Sequence, residues 1–257
     1  MQDKIILSVD SLSKKYQDLE NEILAIEDIS FNLSKGEFIS IIGPSGCGKS
    51  TLLSILSGTD KDYKGNLIIK NNTNVGYMLQ SDCLFPWRTI LDNCLIGLEV
   101  NKKLTKENIQ YVKSLLKKYE LEDFMFKYPD NLSGGMRQRV ALIRTLALKP
   151  DILLLDEPLS ALDSQTRLTI GEDIFNIIKN ENITAIMVTH DIGEALSISD
   201  RIIVLTKRPA KIKNIYLIPF NNLDYYSRKL DGNFNQLLDQ IWRDLDVSWK
   251  KKIFKNN

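Results

Sequence analysis

Nine consecutive residues limit the possible folds of this chain more than any other feature of it. Gly43, Pro44, Ser45, Gly46, Cys47, Gly48, Lys49, Ser50 and Thr51 satisfy G-x-x-x-x-G-K-[ST]. The pattern carries weight only between a strand and a helix, and the flanking residues predict both. Residues 37–42 are too apolar for a sheet with one wet face and read as a buried parallel strand. Residues 49–57 read as a helix that stops at Gly58. Glycines let such a turn fold closely round phosphate oxygens, with successive N–H groups and the helix N-terminus aimed at them. Lys49 would reach the β- and γ-phosphates, and Ser50 would offer its hydroxyl to Mg²⁺. The expectation is a nucleotide site.

The rest of the chain fits round that unit. Residues 5–9, 23–31 and 67–69 predict short strands, the last following the turn Lys64-Gly65-Asn66. Ile90, Leu91, Cys94, Leu95 and Leu98 are spaced for one helical face, as are Ile109, Val112, Leu115, Leu116 and Tyr119. Strand–helix alternation resumes with residues 152–156, 185–189 and 202–206. The predicted fold is α/β: a P-loop NTPase parallel-sheet core, an N-terminal antiparallel β layer, and an inserted helical subdomain. It places the main domain at residues 1–220, the helical insertion at roughly 82–148, and a C-terminal helical tail at 221–257.

Composition narrows the function classes. A formal net charge of +1 over 257 residues offers no basic field for nucleic acid or an anionic membrane. Three cysteines are too few, and odd in number, for a disulfide framework, which predicts a reducing compartment. The opening residues lack an apolar stretch of signal-peptide length, and no window nears the roughly 18 apolar residues of a membrane span.

A magnesium site needs a carboxylate at the end of a neighbouring buried strand. The run Ile152-Leu153-Leu154-Leu155-Asp156-Glu157-Pro158 supplies it, with Asp156 suited to the metal shell and Glu157 placed to polarise an attacking water. A second anion site follows from Ser133, which would cap a helix whose first residues are Gly134 and Gly135. One nucleotide cannot easily use both helix ends within one subunit. A two-fold dimer would join one copy's phosphate loop to the other's Ser133 turn.

From about residue 5 to residue 218 the sequence resembles the ATP-binding subunits of ABC transporters. The resemblance implies that Tyr16 stacks on adenine and that Gln80 contacts Mg²⁺ and water and senses the membrane partner. Leu132, Ser133, Gly134, Gly135 and Met136 are similar to the signature turn, although Met136 stands where glutamine is more usual. Ser160, Ala161, Leu162 and Asp163 resemble the loop that crosses to the opposite subunit. His190, the only histidine, is similar to the switch residue facing the γ-phosphate. Catalysis would then rest on Glu157, His190, Lys49 and Gln80, with ATP and Mg²⁺ as ligands.

One nucleotide domain with no fused membrane segment resembles the separate ATPase subunits of bacterial importers. Residues 84–93, 96–99, 207–212 and the late pair Ile241-Trp242 are similar to the nitrate/sulfonate/taurine branch, which includes carriers of thiamine-precursor pyrimidines. The resemblance implies a second copy as partner, integral permease subunits, an indirect extracytoplasmic solute-binding protein, no nucleic acid, and a place on the cytoplasmic face of the membrane. The competing readings are a soluble ABC ATPase acting on DNA or ribosomes, and a non-hydrolysing scaffold. Against them stand the lack of a long heptad insertion, the single cassette, and the presence of Glu157 and His190. Three local features stay open in the sequence. Cys47 is a reactive thiolate or a filler. Phe85 and Trp87 line a groove for a membrane-subunit helix or pack the helical insertion. Residues 249–255 touch lipid headgroups or are solvated.

Overall fold

The computed structural model describes residues 4–17, 22–160, 162–220 and 223–245. The chain divides into two compact units, one comprising Met1–Asn71 with Thr184–Asn257, the other Asn72–Ile183.

In the first unit, β1 (Ile5–Gln17) pairs antiparallel with β2 (Glu22–Ser34) on one side and β4 (Lys64–Ile69) on the other. Leu7, Val9, Leu12, Ile29, Phe31 and Leu33 bury the inner face. Both long strands extend beyond the residues the sequence predicts. Register shifts between Val9 and Leu12, and again on either side of Lys14, break the two-residue alternation that identifies a strand. The polar stretch from Ser13 to Gln17 therefore continues the ladder without looking like one.

The same unit holds β3 (Phe38–Ile42) between β7 (Thr184–Thr189) and β8 (Arg201–Leu205), all parallel. Every residue of β3 and β7 is buried, which is why both read as continuous apolar runs rather than alternating ones. An antiparallel strand, β9 (Ile212–Leu217), completes this edge against β8. It is absent from the sequence reading because most of its residues are exposed or half-buried and show no clean period. The helix α1 (Lys49–Leu56) follows β3, and α6 (Ile192–Ile198) follows β7. Two C-terminal helices, α7 (Tyr225–Leu230) and α8 (Phe234–Leu245), are anchored in the core. Phe220, Phe234 and Ile241 pack with Ile42, Ile192, Leu196 and Val204. Arg228 is fully buried and donates from Nη1 to the Ser199 carbonyl at 2.8 Å, and burial pulls its guanidinium below its ordinary pKa. The lysine-rich stretch at 249–255 lies outside the described residues.

In the second unit, β5 (Val75–Met78) and β6 (Ile152–Asp156) form a parallel pair. The helical part comprises α2 (Ile90–Val100), α3 (Lys106–Lys118) and α4 (Gly134–Leu146), and α5 (Ser164–Asn180) follows β6. Each of these four helices begins at a side-chain cap: Thr89, Thr105, Ser133 and Asp163. Among the described residues no helix is long and apolar enough to cross a membrane.

Candidate active site

In the first unit the candidate residues gather where parallel strands end. Ile42 pairs with Thr189 on one side and Val204 on the other, so Gly43 and His190 leave the sheet at one carboxyl edge, where β8 ends at Leu205. Ligands of open α/β sheets bind at such an edge. The turn from Gly43 to Thr51 contains two glycines with positive φ, Gly46 at 70° and Gly48 at 125°. A Cβ on Gly48 would also stand 3.1 Å from the Ala25 carbonyl. No side chain caps the start of α1, which leaves its first amides to a ligand. Lys49 is buried, and its ammonium spans the turn by donating to the carbonyls of Gly43 (2.9 Å) and Pro44 (3.2 Å).

Tyr16 is half-exposed beside this turn, and its hydroxyl donates to Thr51 Oγ1 at 3.3 Å. The Lys14 ammonium lies 4.9 Å from the ring centroid and is held there by Asp60 and Asp62 at 3.0 and 3.2 Å. His190 is exposed just past β7, and Asp191 next to it caps α6 by accepting the Glu194 N–H at 2.9 Å. Of the two readings open for Cys47, the structure favours the filler. Its thiol is buried, and burial raises its pKa above the usual value despite Lys49 and Arg208 nearby, so it is not a reactive thiolate. It fills space: a Cβ on Gly43 would come within 2.9 Å of its sulfur.

In the second unit, Met78 pairs with Leu155, and two residues further along each strand Gln80 Nε2 donates to Glu157 Oε2 at 3.3 Å. Glu157 has φ +44°, a left-handed conformation that non-glycine residues adopt at a cost and that recurs where a side chain must be aimed. Asp156 is 5% exposed and accepts a hydrogen bond from the Tyr77 hydroxyl at 3.3 Å. The Glu157 carbonyl accepts both the N–H (3.2 Å) and the hydroxyl (3.0 Å) of Ser160. Leu162 is buried, and Asp163 caps α5 by accepting the N–H groups of Gln165 and Thr166 at 3.1 Å each. Hydrogen bonds from Thr166 and Gln165 hold its carboxyl below the usual range. Ala161 lies outside the described residues.

Ser133 caps α4, its Oγ accepting the Met136 N–H at 3.3 Å, and Leu132 before it is buried. Gly134 is exposed, whereas a Cβ on Gly135 would fall 2.3 Å from Thr166 Cγ2. A shallow depression of about 240 Å³ is lined there by Ser133, Gly135, Met136, Arg139, Gln165 and Thr166.

Several positioning residues carry no sequence signal. Arg144 donates to the carbonyls of Asp82 (2.6 Å) and Cys83 (2.7 Å), and Arg137 donates to Asp82 Oδ2 (3.0 Å) and the Leu132 carbonyl (2.8 Å). Arg137 thus joins the Ser133 turn to the segment after Gln80. Trp87 in that segment is 71% exposed, so it does not pack the helical part. Of the residues predicted for a metal, Ser50, Gln80 and Asp156 offer a hydroxyl, an amide and a carboxylate. Such hard oxygen donors suit Mg²⁺ rather than a thiolate- or imidazole-seeking metal.

The sequence profile of the family described as ABC transporter matches residues 26–160. The uncharacterised ABC transporter ATP-binding protein YtlC of Bacillus subtilis is 43% identical over 254 residues, covering 96% of this chain and 98% of its own. The aliphatic sulfonates import ATP-binding protein SsuB of Bacillus thuringiensis is 38% identical over 246 residues, covering 93% and 96%. A bacterial ABC transporter cassette solved as a dimer aligns with a TM-score of 0.73 at 33% identity, covering 82% of this chain and 98% of that one.

Proposed function

The chain belongs to the ABC transporter family as an ATP-binding subunit with ATPase activity, and from that premise we propose how its residues divide the work of an importer. Two copies bind two ATP molecules, the phosphate loop of one copy facing the Ser133 turn of the other. The uncapped start of α1, the left-handed glycines and the bridging Lys49 ammonium support the loop's part in taking phosphate charge. The capped start of α4, with its exposed Gly134, supports the turn's part.

By their oxygen donors Ser50, Gln80 and Asp156 are the residues for Mg²⁺. An ion held by these residues would supply neutralisation of the charge that develops on the phosphates. Glu157 orients the attacking water and takes its proton, and His190 holds the γ-phosphate end. The single observation that carries this assignment is the Gln80–Glu157 hydrogen bond, with Glu157 held at positive φ. Tyr16 stacks on the adenine, its ring already half-exposed. The loop Ser160, Ala161, Leu162, Asp163 meets the second copy.

The subunit works at the cytoplasmic face of a membrane with separate permease subunits, fed indirectly by a solute-binding protein. The exposed Trp87, tilted against Phe85 at 5.3 Å, supports a docking role for that segment. Likeness to a sulfonate importer subunit supports a small oxyanion of the sulfonate or nitrate class as the cargo, with a thiamine-precursor pyrimidine as the other candidate.

The test is Glu157→Gln. Mg·ATP is expected to convert the purified variant from monomer to a lasting dimer by light scattering, while wild type disperses as it hydrolyses. ATP turnover that survives the substitution with the membrane subunits present would overturn the role of Glu157.

A further inference from the structure

Three glycines of the phosphate loop each meet one residue of the stretch that ends β8 and leads towards β9, and the two sets share one spacing. A Cβ on Gly43 would lie 3.1 Å from Leu205 Cβ, one on Gly46 3.8 Å from Arg208 Nη2, and one on Gly48 3.7 Å from Ala210 Cβ. The segment thus runs alongside the loop from its first glycine to its last.

The segment is itself held in shape. Thr206 N–H donates to the Lys211 carbonyl at 2.9 Å, Lys211 N–H donates to Thr206 Oγ1 at 2.9 Å, and that hydroxyl reaches the Pro209 carbonyl at 3.0 Å. Ala210 is fully buried and joins β2 through both of its backbone groups. Its N–H donates to the Ala25 carbonyl at 2.9 Å, and its carbonyl accepts the Glu27 N–H at 3.0 Å. Lys211 and Glu27 add an ion pair at 3.0 Å.

Arg208 provides the polar link from this segment to the loop. Its Nε and Nη2 both donate to the Gly46 carbonyl, at 3.2 and 2.7 Å. The N–H of the same peptide plane belongs to Cys47 and donates to the Pro44 carbonyl at 3.2 Å. Hydrogen bonds at both ends of this peptide plane oppose its flipping. That matters at Gly46, whose φ of +70° is one of many conformations glycine samples freely. Arg208 is exposed, so these bonds are not a by-product of filling a core.

We propose that residues 205–210 form a splint for the phosphate loop and that Arg208 is a positioning residue that sets the loop in its anion-ready shape before nucleotide arrives. The ordering that phosphate binding would otherwise have to impose is then already done. The inference rests on the reading of this loop as the polyphosphate site.

The test uses the whole chain with Arg208→Ala and Arg208→Lys. Calorimetry measures binding of Mg·ATP, Mg·ADP and Mg·pyrophosphate, and thermal unfolding is followed without ligand. Arg208→Ala is expected to weaken all three ligands by a common factor of about ten, the scale of a lost charge-assisted contact. The ligand-free Tm should stay within about 2 °C of wild type, as for an exposed side chain. Lysine, which can supply one of the two bonds, should recover part of the affinity. Wild-type-like binding of all three ligands by Arg208→Ala overturns the proposal. So does a loss confined to ATP with pyrophosphate unaffected, or a large fall in ligand-free Tm that lysine does not restore. A wild-type chain that binds neither Mg·ATP nor Mg·pyrophosphate overturns the nucleotide reading itself, and the splint with it.

Discussion

Gln80 Nε2 donates to Glu157 Oε2 across 3.3 Å, joining two residues that each lie two positions beyond a matched strand pair. A neutral amide donor fixes the direction of the carboxylate without neutralising it, as an arginine there would. It limits the rotamers that the carboxylate can adopt.

Gln80→Ala should therefore act on turnover more than on binding. If Glu157 acts as proposed, losing one orienting contact on it is expected to lower kcat by about 10- to 100-fold. The Kd for Mg·ATP should move by no more than about threefold. Phosphate-release kinetics with the membrane subunits present, beside calorimetry on the isolated chain, separate the two. A raised KM at unchanged kcat would place Gln80 in binding instead.

Thiol chemistry gives a second prediction. Cys94 is buried, and burial pushes its thiol up to about 12. Cys47 is buried and raised for the same reason, whereas Cys83 is exposed. A raised thiol pKa means less thiolate at any pH below it, so Cys47 and Cys94 should resist alkylation at neutral pH. Intact mass after N-ethylmaleimide at pH 7.5 should show one adduct, at Cys83, in the native chain and three in urea. Rapid native labelling of Cys47 would contradict its buried role in the loop.

These contrasts also mark what the sequence discloses. The phosphate loop, Asp156 with Glu157, and the Ser133 turn are contiguous runs whose chemistry is set by immediate neighbours, so they are legible. Arg208, Arg137 and Arg144 act on partners 162, 55 and 62 positions away, and nothing local to them signals it. The extent of β1 is hidden for a related reason, because bulges remove the period that reveals a strand. The role of Cys47 stays open in the sequence because loop membership says nothing about which way a side chain turns.

Asn93 is fully buried on α2 and bonds to backbone groups four to eight positions away. Its Oδ1 accepts the Phe85 N–H at 2.7 Å, and its Nδ2 reaches the carbonyls of Phe85, Arg88 and Thr89 at 3.0 to 3.1 Å. Asn93→Ala would strand several buried backbone groups and is expected to cost about 2–4 kcal/mol. Urea unfolding measures this. The Kd of the isolated chain for Mg·ATP should not change, because Asn93 shapes the stretch that carries Trp87 rather than the phosphate loop. A Trp87-sensitive loss of association with the permease subunits would accompany it.

Gly135 gives the sharpest steric prediction. A Cβ there would fall 2.3 Å from Thr166 Cγ2, well inside contact distance, although alanine is otherwise favoured over glycine within a helix by about 1 kcal/mol. The clash should win. Gly135→Ala is expected to destabilise the chain by about 1–3 kcal/mol, the usual cost of overpacking, and to displace the start of α4 from α5. Thr166→Ser deletes the offending methyl, so the double variant should regain most of that loss and could exceed the single Ser variant through the helix preference of alanine. The two substitutions would then be strongly non-additive, which a double-mutant cycle in urea reads directly. ATP-dependent dimerisation in the Glu157→Gln background supplies the functional counterpart. It should fall with Gly135→Ala alone and return with Thr166→Ser. Additive effects, or a fall in dimerisation that the second substitution leaves untouched, would show that Gly135 serves the partner's nucleotide by its own missing side chain and not by the packing of α4 on α5.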